Sequence, residues 1–192
     1  QRALHLVATD RRALVEYLLD STRRLAGAGA SFVAITANTP HIVFDELVAR
    51  SPVPLLSIVE VTAAEARRQH LSRVAVLGTR FTMEAPFYPA VLWRHGVEVV
   101  PIQPADRDWI HACYIDELLK GRFTDAARER FVSFVAQLTD ELEIDGVVLA
   151  GTELPLLLKT ETVAGLPALD TTELHVSSIV TRLQAFPRIR KG

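Results

Sequence analysis

The chain has 192 residues, about half of them hydrophobic, and a formal net charge of −2 at neutral pH. This nearly neutral composition excludes the strongly basic proteins that bind nucleic acids or anionic membranes. Cys113 is the one cysteine, which excludes an internal disulfide framework and a metal site made of several cysteines. No apolar run reaches the roughly 20 residues that cross a bilayer and no signal-peptide pattern is present, so we expect a cytoplasmic protein without metal or membrane contacts.

Short apolar runs alternate with amphipathic helical runs along the chain. The runs predict strands at residues 32–37, 54–58, 73–78, 97–100, 145–150 and 166–169. Helices are predicted at residues 10–26, 42–49, 62–70, 86–95, 104–120, 124–142 and 170–183, with a polar turn at 78–82. Asp10, Thr124 and Asp170 can cap the helices that they precede. The alternation indicates parallel strands with crossover helices, an α/β fold.

Two segments repeat one pattern, in which an apolar strand stops at a very small residue and small polar residues follow. The strand tips are Ala37 and Gly151, which are 114 residues apart, and a second similar pair, Pro54 and Pro167, is 113 residues apart. Nearly equal offsets predict a duplicated α/β unit. Because ligands bind where such strands end, we expect two half-sites facing one cleft, between domains formed by residues 1–70 plus 165–192 and by residues 71–164.

Four polar segments give the chain a resemblance to a known family. They are Ala-Asn-Thr-Pro-His at 37–41, Gly-Thr-Arg-Phe-Thr at 78–82, Gly-Thr-Glu-Leu-Pro at 151–155 and Asp-Thr-Thr-Glu-Leu-His at 170–175. In this order they resemble the aspartate/glutamate racemases, from about residue 10 to about residue 180. The resemblance implies two similar α/β domains, commonly in a homodimer. It also implies α-proton transfer without pyridoxal phosphate or any other cofactor, on aspartate, glutamate or a related small carboxylic acid.

The resemblance also identifies candidate site residues. The family carries a Cys-Asn-Thr and a Gly-Cys-Thr-Glu motif, whose cysteines flank the substrate's α-carbon, and these cysteines fall on Ala37 and Gly151. The positions that hold the substrate's carboxylate and amino groups fall on Asn38, Thr39, Thr79, Thr82 and Thr152. Glu153 and His175 match positions beside the second cysteine and are the candidate catalytic residues.

The two strand tips leave two hypotheses open. Racemisation needs a base and an acid on opposite faces of one carbon, and neither alanine nor glycine can move a proton. The chain is either an isomerase with altered groups or a protein that binds a small amino or carboxylic acid without racemising it. In the second case Glu153 is a helix-capping carboxylate, and His41 and His175 only make hydrogen bonds. Cys113, within a predicted helix, is expected to be a packed core residue.

The family's first strand and glycine-rich loop have no counterpart in the sequence. We therefore expect the sequence to begin inside a longer natural chain. If the scaffold and the substrate-binding residues are otherwise intact, replacing Ala37 and Gly151 with cysteine is expected to create racemase activity.

Overall fold

The computed structural model describes residues 6–7, 9–159 and 161–185, which form an α/β fold with two sheets. The strands are β1 (Val33–Ala34), β2 (Leu55–Leu56), β3 (Arg73–Gly78), β4 (Glu98–Val99), β5 (Gly146–Ala150), β6 (Thr162–Val163) and β7 (Leu166–Asp170). The helices are α1 (Arg11–Gly27), α2 (Phe44–Arg50), α3 (Ile58–Arg68), α4 (Arg80–Glu84), α5 (Phe87–Arg94), α6 (Pro104–Asp116), α7 (Asp125–Leu142), α8 (Leu154–Leu158) and α9 (Thr171–Gln184). Short 3-10 helices span Thr39–Val43 and Leu118–Lys120.

The larger sheet has the strand order β4-β3-β5-β7-β6, in which only the edge strand β6 is antiparallel to its neighbour. Successive side chains of a strand point to opposite faces, and both faces of this sheet are covered. Ala75, Leu77 and Leu149 belong to a core cluster with α6, α7 and α8, whereas Val76 and Val148 belong to a cluster with α3 and α5. Burial on both faces explains why β3 and β5 are continuous apolar runs in the sequence.

The smaller sheet pairs β1 with β2 in parallel, and a third core cluster lies between α1 and α2 around Leu14, Leu19 and Leu47. The predicted domain division assigned residues 165–192 to this part of the chain. In the structure, strand β7 pairs with β5 in the larger sheet, and α9, which follows it, packs on α3. Where one domain ends and the other begins stays a prediction.

The α/β class with parallel sheets is confirmed, and so are several helix starts. The side chains of Asp10, Thr124 and Asp170 accept backbone N–H hydrogen bonds at the first turns of α1, α7 and α9. Gly121, with a φ of 73°, follows the 3-10 helix after α6, where a left-handed residue is needed. In the described part of the chain, no helix is long and apolar enough to span a membrane.

Other predicted elements differ from the structure. The strands predicted at 32–37 and 54–58 are reduced to two residues each, because β1 and β2 pair only with each other over that length. Helix α3 begins at Ile58 rather than at Thr62, since the Ser57 hydroxyl accepts hydrogen bonds from the backbone N–H groups of Val59 and Glu60. The turn predicted at 78–82 overlaps the start of helix α4, which continues to Glu84, and α8 and β6 were not predicted.

Candidate functional site

The ends of β3 and β5 meet at one edge of the larger sheet. Gly78 and Ala150 are register partners, so Thr79 and Gly151, the next residues along the chain, lie side by side. The loop after β1 approaches the same edge. Together these segments enclose a cavity of about 290 Å³ lined by residues 37–40, Thr79 and residues 150–153, with Tyr114 and Leu119 completing the wall. The two predicted half-sites thus face one cavity.

Three threonine hydroxyls form a closed hydrogen-bonded group at this cavity. The Oγ1 atom of Thr39 lies 3.2 Å from that of Thr79 and 2.9 Å from that of Thr82, and the last two are 3.2 Å apart. Thr79 and Thr82 meet because Thr79 precedes α4, where its carbonyl accepts the backbone N–H of Thr82. Each hydroxyl can donate one hydrogen bond and accept two, so the group can turn donors toward an anionic ligand.

Asn38 connects the loop after β1 to the larger sheet. Its Nδ2 atom donates to Thr171 Oγ1 at 3.1 Å, and its Oδ1 atom accepts from the hydroxyl of Tyr88 at 2.5 Å. The Thr171 hydroxyl in turn donates to the carbonyl of Leu149. Asn38 is only 4% exposed, so its amide mainly fixes the loop in place. Burial raises the pKa of Tyr88, which keeps this hydroxyl a donor at neutral pH.

The ring of His41 holds the tip of the same loop. Its Nδ1 atom lies 2.9 Å from the carbonyl oxygen of Ala37, and its Nε2 atom accepts the backbone N–H of Ile58 at 3.3 Å. One nitrogen donates and the other accepts, which requires the neutral ring. Burial lowers the pKa of His41 from 6.5 to about 4, consistent with that state. The interpretation of His41 as a hydrogen-bonding residue agrees with this geometry.

On the opposite side of the cavity, Tyr114 and Glu153 form a hydrogen-bonded pair. The hydroxyl of Tyr114 donates to Glu153 Oε2, which also accepts the hydroxyl of Thr152 at 2.7 Å. Burial and the neighbouring Glu153 carboxylate raise the pKa of Tyr114 well above its usual range. Glu153 precedes α8, but its side chain makes no capping hydrogen bond. The structure therefore does not show Glu153 as a helix-capping carboxylate.

Gly151 is in close contact with Tyr114. A Cβ atom added to Gly151 would lie 2.7 Å from Cε2 and 2.8 Å from Cζ of Tyr114, and still closer to its hydroxyl oxygen. Side-chain carbons essentially never approach so closely in proteins. The phenol therefore occupies the space in which any side chain at position 151 would begin.

The structure brings Asn38, Thr39, Thr79, Thr152 and Glu153 to the lining of the cavity. Thr82 does not line the cavity, although its hydroxyl bonds to those of Thr39 and Thr79, which do, and His175 does not line it either. His175 is the fifth residue of α9 and is 2% exposed, and its Nε2 atom has no hydrogen-bond partner in the described part of the chain. Burial lowers the pKa of His175.

The sequence did not point to Tyr114. This residue follows Cys113 on α6, remote in sequence from every polar segment, and the one available signal was the glycine at the β5 tip, which permits a close approach. Cys113, expected to be a packed core residue, is only partly buried at the edge of the larger core cluster, and burial raises the pKa of its thiol.

Comparison with known proteins places the chain in a family. The family model of the Asp/Glu/hydantoin racemases matches residues 3–179. The chain belongs to this family. Among solved structures it is similar to an aspartate racemase homologue from Pyrococcus horikoshii OT3, with 31% identity, a TM-score of 0.80 and coverage of 89% of this chain and 74% of that one. A putative Asp/Glu racemase from Yersinia pestis has 29% identity and a TM-score of 0.85, covering 95% of this chain and 80% of that one.

A curated racemase relative matches a shorter part of the chain. The broad specificity amino-acid racemase RacX of Bacillus subtilis (strain 168) is 32% identical over 91 residues, which are 47% of this chain. The match spans 40% of the length of that relative. The expected resemblance to the racemases is thus confirmed at the level of the family.

Proposed function

We propose that this chain binds a small amino or carboxylic acid in the cavity between Ala37 and Gly151 and does not interconvert its enantiomers. The observation that carries the proposal is the position of Tyr114, whose phenol fills the space where a side chain at Gly151 would begin. At the second half-site Tyr114, hydrogen-bonded to Glu153, lies against Gly151, so placing a thiol there requires Tyr114 to move.

The threonine group supports the binding part of this proposal. Thr39 and Thr79 line the cavity, and their hydroxyls lie within 3.2 Å of each other and of the hydroxyl of buried Thr82. A ligand carboxylate can accept hydrogen bonds from such a group, and hydrogen bonds to a charged acceptor are about twice as strong as neutral ones. The loop that carries Thr39 is fixed by Asn38 and His41, which spares the ligand the entropic cost of ordering it.

The distribution of ionisable groups argues against racemisation. Inverting an α-carbon requires proton transfer on both of its faces. Of the described residues that line the cavity, Tyr114 and Glu153 are the ones with ionisable side chains, and they are hydrogen-bonded to each other. The wall around Ala37 offers only a methyl group, a ring of Pro40, an amide and hydroxyls, none of which exchanges protons readily at neutral pH.

The Tyr114–Glu153 hydrogen bond favours a second candidate, a proton-transfer enzyme that works on one face. The Glu153 carboxylate would take the α-proton and leave a carbanion, and the same proton site would return a proton to the same face. This cycle consumes no co-reactant and retains the configuration of the substrate. In heavy water it would replace the α-hydrogen by deuterium without producing the other enantiomer.

One experiment separates these functions. The full-length natural protein is incubated in heavy water with L-aspartate, L-glutamate and uncharged L-amino acids, and the products are analysed by mass spectrometry and chiral chromatography. Binding is measured in parallel by isothermal titration calorimetry. We expect binding without appearance of the D-enantiomer. Deuterium with retained configuration supports the one-face enzyme, whereas D-enantiomer formation, or no binding of any of these compounds, refutes the proposal.

We further propose, from the family resemblance, that the protein acts in the cytoplasm as a homodimer. Sedimentation velocity of the full-length protein tests the second point, since a dimer has twice the mass of the chain. A monomer across micromolar concentrations would contradict it.

A further inference from the structure

The cavity carries a single sign of charge. Among its described lining residues, Glu153 is the one with a charged side chain at neutral pH, and the others are apolar, hydroxylic or amidic. Its two hydrogen-bond donors, Tyr114 and Thr152, are both neutral hydroxyls, so these bonds leave the charge of the carboxylate uncompensated. Both bonds are accepted by Oε2, and Oε1 accepts neither of them.

The positively charged residues that neighbour lining residues in the sequence form ion pairs outside the cavity. Arg80 follows Thr79, but its guanidinium pairs with Asp108 at 2.9 Å. Lys120 follows Leu119, and its ammonium pairs with Asp116 at 3.3 Å. Neither side chain lines the cavity, so neither provides a positive partner for an anionic group inside it.

From this charge distribution we infer that the cavity selects amino acids with an uncharged side chain over aspartate and glutamate. The inference rests on the proposed function, since it assumes that an amino acid binds here. The ammonium group of such a ligand can pair with Glu153, and its carboxylate can accept hydrogen bonds from the threonine hydroxyls. A second carboxylate on the side chain lacks a cation and is repelled by Glu153 across a cavity of about 290 Å³. Like charges this close, partly removed from water, weaken binding by about tenfold or more.

The test compares amino acids that differ in charge and hardly in size. Asparagine against aspartate, and glutamine against glutamate, are titrated into the full-length natural protein by isothermal titration calorimetry. We expect the amide of each pair to bind at least about tenfold more tightly than the acid. If aspartate or glutamate binds as tightly as its amide, this inference is wrong and the proposed function stands. If none of the four binds, and alanine and serine do not bind either, both are wrong.

Replacing Glu153→Gln identifies the source of the selectivity. The substitution removes the charge at nearly constant size, so the preference for the amide is expected to fall below about threefold, with weaker binding of asparagine itself. Glu129→Gln, on the exposed side of α7, is the matched control and should keep the wild-type ratio. Circular dichroism confirms that both variants are folded. A ratio unchanged in folded Glu153→Gln overturns the role of this carboxylate.

Discussion

A methyl group added at Gly151 tests whether Tyr114 truly fills the second half-site. In Gly151→Ala the new Cβ would lie 2.7 and 2.8 Å from two ring carbons of Tyr114 and closer still to its hydroxyl oxygen. The ring cannot retreat freely, since Tyr114 is 3% exposed and packs in the larger core cluster beside Ile110 and Leu118. Its hydroxyl is also hydrogen-bonded to Glu153.

The size of the effect follows from the overlap. Forcing an extra carbon into a packed core costs about 1–3 kcal/mol, and weakening a hydrogen bond to a charged group adds about 1 kcal/mol. We expect the free energy of unfolding of Gly151→Ala, measured by urea denaturation, to fall by about 2–4 kcal/mol. Gly27→Ala, at the end of α1 with nothing within 4 Å of the added carbon, is the matched control. It should stay within about 0.5 kcal/mol of the wild type or be slightly stabilised.

A double-mutant cycle attributes the loss to Tyr114. In Tyr114→Leu the ring atoms that meet the added carbon are gone, so Gly151→Ala should cost at least about 1 kcal/mol less in that background. The same logic applies to restoring thiols. Ala37→Cys with Gly151→Cys is expected to remain without racemase activity unless Tyr114 is shortened as well. If the free energy of unfolding of Gly151→Ala lies within about 0.5 kcal/mol of the wild-type value, the steric argument is refuted.

Two further predictions concern the loop after β1. The pKa of His41 drops on folding from 6.5 to about 4, so the unfolded chain takes up this proton first as the pH falls. The neutral ring stabilises the folded state fully above pH 6.5, and this contribution is lost progressively as the pH falls to 4. At 1.36 kcal/mol per pKa unit, the loss amounts to about 3 kcal/mol. Urea denaturation between pH 7 and pH 4 should show this loss in the wild type and in His70→Asn, a control at an exposed histidine, but not in His41→Gln. Parallel curves of unfolding free energy against pH for all three proteins would contradict the prediction. Tyr88→Phe removes the 2.5 Å hydrogen bond to buried Asn38 and is expected to lower the free energy of unfolding by about 1–2 kcal/mol. An unchanged urea midpoint would show that Asn38 is satisfied without it.

Features encoded by neighbouring residues could be predicted from the sequence. The starts of α1, α7 and α9 depend on Asp10, Thr124 and Asp170, each of which bonds to an N–H two or three residues away. Strand β3 was predicted with its observed limits because a run that is buried on both faces is apolar throughout. Most of the cavity lining was also anticipated, since residues after parallel strands meet at one sheet edge.

Features that depend on tertiary contacts could not be predicted in this way. The Ser57 cap shortened a predicted strand, and nothing in an apolar run shows where pairing with a distant strand will stop. Tyr114 reaches the cavity only because α6 passes the tip of β5. The amide of Asn38, a predicted substrate-binding residue, bonds to Thr171, 133 residues away. No local sequence pattern predicts a contact between residues so far apart in the chain.

The two strand tips are equivalent in sequence offset but not in structure. Ala37 is exposed and lines the cavity, so a sulfur atom added to its methyl carbon can enter open space. At Gly151 even the first side-chain carbon collides with Tyr114. The first half-site therefore has room for a reactive atom, while at the second the phenol of Tyr114, hydrogen-bonded to Glu153, occupies that space. Two half-sites that differ in this way do not supply the opposed acid and base that proton transfer on both faces of one carbon requires, which supports the proposed binding function.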